Sequence, residues 1–343
     1  MPDNSLTSNR KADHIRINLE EDVQSSITTG LEKYLFVHQA LPEVDLDQID
    51  TIQTIFNRKV KVPILISSMT GGTPNAAHIN QVLAQAAQHC GAAMGVGSQR
   101  AAIEKSELAA SYQVRKFAPD ILLMANLGAV QLNYGYTSDH CKRAVDMIEA
   151  DALILHLNAL QEAVQPEGDS RFSGLVRKIE QVCHDLSVPV VAKEVGWGIS
   201  RRSAKLLIEA GVRAIDVAGA GGTSWSQVER YRIQDESRAR VAAAFRSWGI
   251  PTSASVQFVR EVSKDIYLIA SGGLKDGVDI AKCIALGADL GGMAGYFLKA
   301  AAKSMEDCLS AMNEIRNEII IAMFAVGAKD IAELKKAELI KIN

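Results

Sequence analysis

The chain has 343 residues, of which 48% are hydrophobic and 22% charged, and its formal net charge is -3. This composition is typical of a soluble globular protein of one large domain or two medium ones. The net charge excludes a global positive field that would attract nucleic acid or acidic membranes. The cysteines are scattered without a Cys-x-x-Cys pair, and neither a signal-peptide pattern nor a membrane-length apolar run is present. We therefore expect a cytoplasmic protein that binds neither nucleic acid nor membranes.

Short apolar segments alternate with helical patterns along the whole chain. Gly, Pro, Asn or Ser bounds most of the segments, as expected for buried strands. The predicted strands are Val62–Ser68, Ala92–Val96, Ile121–Asn126, Ala152–Leu157, Pro189–Glu194, Ala214–Ala218, Tyr267–Ser271 and Asp289–Ala294.

This alternation predicts an α/β fold, a TIM (β/α)8 barrel. A doubly wound open sheet is the alternative, but no Gly-x-Gly-x-x-Gly follows the first strand. Residues 1–60 are too polar to form a core of their own. We expect them to cap a barrel formed by residues 61–343, within a single domain.

The predicted strand at Ala152–Leu157 ends in a polar tip, His-Leu-Asn-Ala-Leu-Gln-Glu at 156–162. Alternation along a strand places Ile154, His156 and Asn158 on one face. Gln161 and Glu162 follow at once, so the tip predicts an active-site wall. Glu162 is either a ligand for Mg²⁺, which prefers carboxylate oxygen, or a surface carboxylate.

The other predicted strands also end in polar, glycine-rich segments, and these ends meet at one face of a barrel. The segments after the seventh and eighth strands predict a phosphate site that the Thr223 hydroxyl could join, although tight turns alone would also use such glycines. Lys193 at a strand end suits a Schiff base or a positive charge beside a cofactor ring. Asn126 suits contact with the edge of a heterocycle.

Positive charge is concentrated at Arg10-Lys11-Ala12-Asp13-His14-Ile15-Arg16. On its own this segment is typical of a solvated arm. Together with Arg100 at a strand end, it could instead hold a diphosphate.

Taken together, these motifs resemble one family, the type 2 isopentenyl-diphosphate delta-isomerases, which use FMN. The resemblance runs from Arg10 to Gly295, most of the chain. Its elements are Arg-Lys-x-x-His at 10–14, Ser-Met-Thr-Gly-Gly at 68–72, Gly-Ser-Gln-Arg at 97–100, Asn-Leu-Gly at 126–128, His-x-Asn-x-x-Gln-Glu at 156–162, Lys-Glu-Val-Gly-Trp-Gly at 193–198, Ala-Gly-Gly-Thr-Ser-Trp at 220–225, Ser-Gly-Gly at 271–273 and Ala-Gly at 294–295.

The resemblance implies FMN at the C-terminal mouth of the barrel and assigns roles to residues of this chain. The FMN contacts would be Ser68, Met69, Thr70, Ser98, Asn126, Lys193, Thr223, Gly273, Leu274, Lys275, Ala294 and Gly295. The substrate contacts would be Arg10, Lys11, Ser98, Gln99, Arg100, His156, Asn158 and Gln161. Glu162 would bind Mg²⁺, and the residues at the reacting group would be Gln161, His156, Asn158 and Lys193. Lys275 departs from the arginine of many relatives, so the charge is kept but the bidentate fork is lost.

The implied reaction converts isopentenyl diphosphate to dimethylallyl diphosphate with reduced FMN as the acid and base. NADPH would reduce the flavin, and the resemblance implies a homotetramer or a homo-octamer. One alternative is an FMN-dependent 2-hydroxy-acid oxidase or dehydrogenase, but the seventh strand ends without the His-x-x-Arg that would clamp a carboxylate. The other is a non-catalytic flavin-binding barrel, which would need neither Glu162 nor the basic arm.

Overall fold

The computed structural model describes residues 13–14, 16–18, 20–68, 71–72 and 74–342. Its centre is a closed barrel of eight parallel strands. The barrel strands are β4 (Ile64–Ile66), β5 (Ala93–Gly95), β6 (Leu123–Gly128), β7 (Ala152–Leu157), β8 (Val190–Glu194), β9 (Ala214–Asp216), β10 (Tyr267–Ser271) and β11 (Leu290–Met293). The predicted TIM barrel is therefore confirmed.

The strands follow one another around the barrel in chain order, and β11 pairs with β4 to close it. The bounds of β7 and β10 agree with the prediction. The first strand is shorter than predicted, since residues 62, 63, 67 and 68 lie outside it. β6 extends to Gly128, two residues beyond its predicted end, and pairs there with His156.

Among the residues described, four further strands lie outside the barrel: β1 (Tyr34–Phe36), β2 (Gln53–Ile55), β3 (Arg58–Val60) and β12 (Leu339–Lys341). The helices of the described chain surround the barrel or extend its loops. They are α1 (Pro74–Cys90), α2 (Arg100–Glu104), α3 (Ser138–Ile148), α4 (Ala159–Val164), α5 (Leu175–Asp185), α6 (Arg201–Glu209), α7 (Trp225–Arg232), α8 (Glu236–Ala243), α9 (Thr252–Val262), α10 (Gly277–Ala285), α11 (Gly295–Ala301), α12 (Met305–Ala325) and α13 (Ile331–Leu334). Short 3-10 turns connect several of them.

The alternation of side chains along each strand divides the core into two layers. Leu123, Leu153 and Leu155 point outward and pack in the large cluster beneath the helices. Met124 and Ile154 point inward and pack in the barrel interior. The next inward position on β7 is His156, so the polar tip of that strand faces the barrel mouth.

The segment before the barrel covers both of its ends. The hairpin β2–β3 seals the base, where Ile55 and Val60 join the interior cluster. On the opposite side, Ser25 donates its backbone N–H to the Gly222 carbonyl at 2.8 Å beside the mouth. These contacts agree with a capping segment, and the domain boundary at residue 60 stays a prediction. Within the described chain, we find no helix that combines the length and the apolar character needed to cross a membrane.

Candidate active site

A cavity of about 550 Å³ opens at the C-terminal ends of the barrel strands. One side is formed by the ends of β4 to β7 and by helix α4, and there it is lined by Ser68, Ser98, Arg100, Asn126, His156, Asn158, Gln161 and Glu162. The other side is lined by Lys193, Thr223, Gly273, Leu274, Lys275, Ala294 and Gly295. The cavity thus brings together fifteen of the residues predicted from the sequence. Arg10, Lys11, Met69 and Thr70 lie outside the described residues.

Gln99 does not line this cavity, although we expected it to contact substrate. Its side chain is fully buried and turns away, where the amide nitrogen donates to the Ala144 carbonyl at 2.8 Å. Its amide oxygen accepts the backbone N–H of Asn126 at 2.9 Å. These hydrogen bonds hold the end of β6, so the Gln99 side chain is not directed at the cavity, and a contact between Gln99 and substrate stays a prediction.

Asn126 and His156 form a pair on the inner wall. The Asn126 amide nitrogen donates to the Val96 carbonyl at 3.1 Å, which turns the amide oxygen toward His156. That oxygen lies 2.7 Å from Nδ1 of His156. Because a carbonyl oxygen can only accept, Nδ1 carries the proton in this arrangement.

The Glu162 carboxylate lies in a ring of hydrogen-bond donors at the start of α4. Oε1 accepts from the Asn158 amide at 2.8 Å. Oε2 accepts from the Gln165 amide at 2.5 Å and from the backbone N–H of Asp169 at 2.7 Å. The side-chain oxygen of Asn158 is buried and accepts no hydrogen bond from any described residue. Two oxygen-bearing side chains are thus held beside each other at the cavity wall.

Glu229 on α7 is a buried residue that our sequence reading missed. Its carboxylate lies 3.0 Å from Nε2 of His14, accepts from the Gln161 amide at 2.8 Å, and pairs with Arg232 at 2.5 Å. Burial would raise the pKa of Glu229, but His14, Arg232 and Gln161 lower it to about 2. Glu229 is therefore a fixed negative charge that orients Gln161. Arg232 is only three residues away, but Gln161 and His14 lie 68 and 215 residues away, so no local pattern indicates this role.

Arg100 reaches the same wall from the end of β5 and is held by two carboxylates. Its guanidinium pairs with Glu104 at 2.8 Å and with Asp169 at 2.7 Å. The side chain remains 28% exposed, so it is accessible to an anion in the cavity. An incoming diphosphate would compete with Asp169 for it.

The opposite side of the cavity is built from closely approaching glycine loops. A Cβ on Gly222 would lie 2.6 Å from the backbone nitrogen of Gly273. Gly273 itself has a φ of +77°, in the left-handed region that favours glycine. Only glycine allows the loops after β9 and β10 to meet this closely.

The comparisons with known proteins agree with this geometry. A sequence profile of the FMN-dependent dehydrogenase family matches residues 138–341. An isopentenyl-diphosphate delta-isomerase of Nostoc sp. is 55% identical to this chain over 335 residues, covering 97% of the chain and 95% of that protein.

The chain belongs to the isopentenyl-diphosphate delta-isomerase family. A second isopentenyl-diphosphate delta-isomerase, of Rickettsia bellii, is 53% identical and covers 97% of the chain. The resemblance found in the sequence is thereby confirmed, in preference to the oxidase alternative. A crystal structure of mandelate oxidase with (S)-2-phenylpropionate has a TM-score of 0.69 at 17% identity, covering 99% of each chain. At that identity the likeness shows the shared barrel fold.

The cavity fits the FMN that this family implies. Its volume lies within the range of cofactor sites, roughly 300 to 1,000 Å³. The hydroxyls of Ser67 and Ser68 are buried and have no hydrogen-bond partner among the residues described, so a bound polar group would satisfy them. Lys193 supplies a positive charge at a buried strand end.

A metal ion would depend on few protein ligands. Across the described ranges, His, Cys, Asp and Glu form no group of three or more that could hold a metal ion. Mg²⁺ commonly uses one or two carboxylates together with substrate phosphates. Glu162 fits that pattern, with the remaining ligands coming from a diphosphate and water.

Proposed function

We propose that this chain interconverts isopentenyl diphosphate and dimethylallyl diphosphate, with reduced FMN as the acid and base. The observation that carries the proposal is the full-length similarity to isopentenyl-diphosphate delta-isomerases together with the two-sided cavity. One side is suited to a flavin and its phosphate. The other side is suited to a diphosphate and its metal ion.

Among the described residues, the FMN contacts would be Lys193 and Thr223 on the flavin side, together with Ser68, Ser98 and Asn126 at the ends of β4 to β6 on the opposite side. The loop at 273–275 and the turn at 294–295 would surround the phosphate, because glycine backbone lets N–H groups approach an anion closely. We assign Met69 and Thr70 as further FMN contacts from the sequence motif alone.

On the diphosphate side, Arg100 would exchange its pair with Asp169 for a phosphate oxygen. Glu162 would bind Mg²⁺, which bridges to the diphosphate. Arg10 and Lys11 are assigned to the diphosphate from their motif. His156, Asn158 and Gln161 would position the olefin between the two sides.

The isomerisation adds a proton to the terminal methylene carbon and removes one from the carbon next to the diphosphate-bearing carbon. The products therefore show no net oxidation. When bound, reduced FMN would supply the group that gives and takes these protons.

This chain's residues hold the reactants for that transfer. Lys193 stabilises negative charge at the flavin side of the cavity. Glu229 fixes the Gln161 amide, and because an amide is a poor base we assign Gln161 a positioning role. The diphosphate contacts fix the distance between olefin and flavin, which is the main catalytic contribution of such a site.

We propose NADPH as the reductant, which the reaction needs to activate the flavin but does not consume in each turnover. We further propose a cytoplasmic enzyme that assembles as a homotetramer or homo-octamer. Part of helix α12 remains available for subunit contact, since Ile321 is 57% exposed.

The test is an anaerobic assay with purified protein, FMN, NADPH, Mg²⁺ and isopentenyl diphosphate. We expect dimethylallyl diphosphate to form, and to be absent when NADPH or FMN is omitted. Absence of product with the flavin visibly reduced would reject the proposed function. Equal turnover with oxidised flavin would reject the role of reduced FMN.

A further inference from the structure

Asp216, at the C-terminal end of β9, is a fully buried carboxylate behind the flavin side of the cavity. It is not among the residues that line the cavity. It pairs in register with Lys193 on β8, whose side chain does reach the cavity. Asp216 can therefore influence a ligand only through its neighbours.

The two oxygens of Asp216 have different surroundings. Oδ1 accepts from the Ser271 hydroxyl at 2.6 Å and from the backbone N–H of Ala218 at 3.3 Å. Oδ2 is buried and accepts no hydrogen bond from the part of the chain that the structure describes. The ammonium of Lys193 lies 3.9 Å from Oδ2. Burial raises the pKa of Asp216 and outweighs the lowering by Lys193, the Ser271 hydroxyl and the Ala218 N–H. Because a buried charge is costly unless it is paired, Lys193 is the counter-charge that favours the ionised form of Asp216.

The ammonium of Lys193 has Asp216 as its counter-charge in turn. Its side chain is 10% exposed, and its ammonium donates to the Glu194 carbonyl at 2.7 Å. The Glu194 carboxylate turns away and accepts three backbone N–H groups of residues 195–197. On the other neighbouring strand, His156 is bound to Asn126. In the described structure, Asp216 is thus the one carboxylate within ion-pair distance of Lys193.

We propose that Asp216 is a positioning residue that keeps Lys193 protonated and fixed at the cavity wall before the flavin is reduced. The proposal rests on the FMN site of the proposed function. An oxidised flavin ring carries no charge that could hold a buried lysine in its ammonium form. Burial alone favours the neutral amine. With Asp216 present, the positive charge is already in place when reduction brings negative charge to the ring.

Without Asp216, Lys193 would gain its proton only when the flavin is reduced. The number of protons taken up per two electrons would then rise by one. This number is measured from the pH dependence of the flavin midpoint potential. It reports the charge state of Lys193 rather than the activity or stability of the protein.

The experiment compares wild type, Asp216→Asn, Lys193→Met and the double variant, each loaded with FMN. We expect Asp216→Asn to take up one more proton per two electrons than wild type. We also expect Asp216→Asn to have no such effect in the Lys193→Met background. An equal proton number in wild type and Asp216→Asn would overturn the proposal, as would an effect that persists without Lys193.

A second measurement needs only a folded wild type. In protein labelled with ¹⁵N-lysine and loaded with oxidised FMN, the Lys193 signal, identified by its loss in Lys193→Met, should be that of an ammonium at neutral pH. An amine signal would overturn the proposal. Wild type that binds no FMN would overturn the flavin site as well, whereas normal FMN binding with an amine at Lys193 overturns this inference alone.

Discussion

Replacement of Glu229 by glutamine tests the buried network behind Gln161. Glutamine keeps the shape of the side chain and an oxygen that can accept from the Gln161 amide. It removes the negative charge between His14 and Arg232. Arg232 is 12% exposed, so the change leaves a largely buried guanidinium without its nearest counter-charge, although Glu167 remains at 2.8 Å.

The size of the effect follows from the pKa of Glu229, which falls from 4.5 to about 2 in the folded protein. That difference corresponds to about 3 kcal/mol of stabilisation of the charged form. Loss of one partner of a buried pair costs a similar amount, roughly 3 to 5 kcal/mol. Because the folded pKa is the lower one, the contribution is complete above pH 4.5 and disappears as the pH falls toward 2.

The assay is urea unfolding of wild type and Glu229→Gln at fixed protein and FMN concentrations, from pH 7 down to pH 3. We expect the variant to be about 3 kcal/mol less stable at pH 7, with a difference that shrinks below pH 4.5. The matched control is Glu261→Gln, which removes an exposed carboxylate paired with Arg201 and should leave the stability unchanged. Equal stability of Glu229→Gln and wild type at pH 7, or a difference independent of pH, would refute the reasoning.

Three further variants test the two sides of the cavity. Glu162→Gln should raise the Mg²⁺ concentration for half-maximal activity about tenfold or more, while FMN absorbance is retained. Loss of FMN would show that Glu162 is wrongly assigned to the metal ion. The control is Glu180→Gln, on the exposed face of α5. Gly295→Ala should leave the stability of the FMN-free protein unchanged, because the added Cβ meets no atom within 4 Å. The same methyl group should weaken FMN binding, because it fills the space beside the phosphate. Unchanged FMN affinity in a fluorescence titration would contradict the placement of the phosphate beside Gly295. Arg100→Met should raise KM for isopentenyl diphosphate about tenfold or more, since a charge-assisted hydrogen bond contributes about 1.5 to 3 kcal/mol. A change in FMN affinity instead would show that Arg100 contacts the flavin and not the diphosphate.

The barrel could be predicted because its strands are buried on both faces and separated by helices of regular period. β7 is the clearest case, since its bounds follow from a continuous apolar run, and Ile154 shares a strand face with the polar residues His156 and Asn158. The hairpin that seals the base could not be predicted in the same way. Its strands have three residues each, too few to show a period of two, and the turn uses Phe56 and Asn57 with positive φ rather than a glycine.

The lining of the cavity could be predicted where polar residues stand at the end of a strand or shortly after it, as at His156 and Glu162. It was not predictable where a side chain satisfies distant backbone groups. Gln99 follows a strand as a ligand-binding residue would, but its amide bonds residues 27 and 45 positions away. Glu229 shows the converse, because its role depends on partners that only the fold brings together.

In the proposed reaction, reduced flavin in this cavity isomerises the substrate without being consumed. The most direct measurement uses FMN-loaded protein that is photoreduced under anaerobic conditions, without NADPH, and mixed with excess isopentenyl diphosphate and Mg²⁺. The amount of dimethylallyl diphosphate formed per flavin is measured while the flavin absorbance is followed. We predict many product molecules per flavin with the absorbance remaining that of the reduced state. At most one product per flavin, or reoxidation in step with product, would contradict the account.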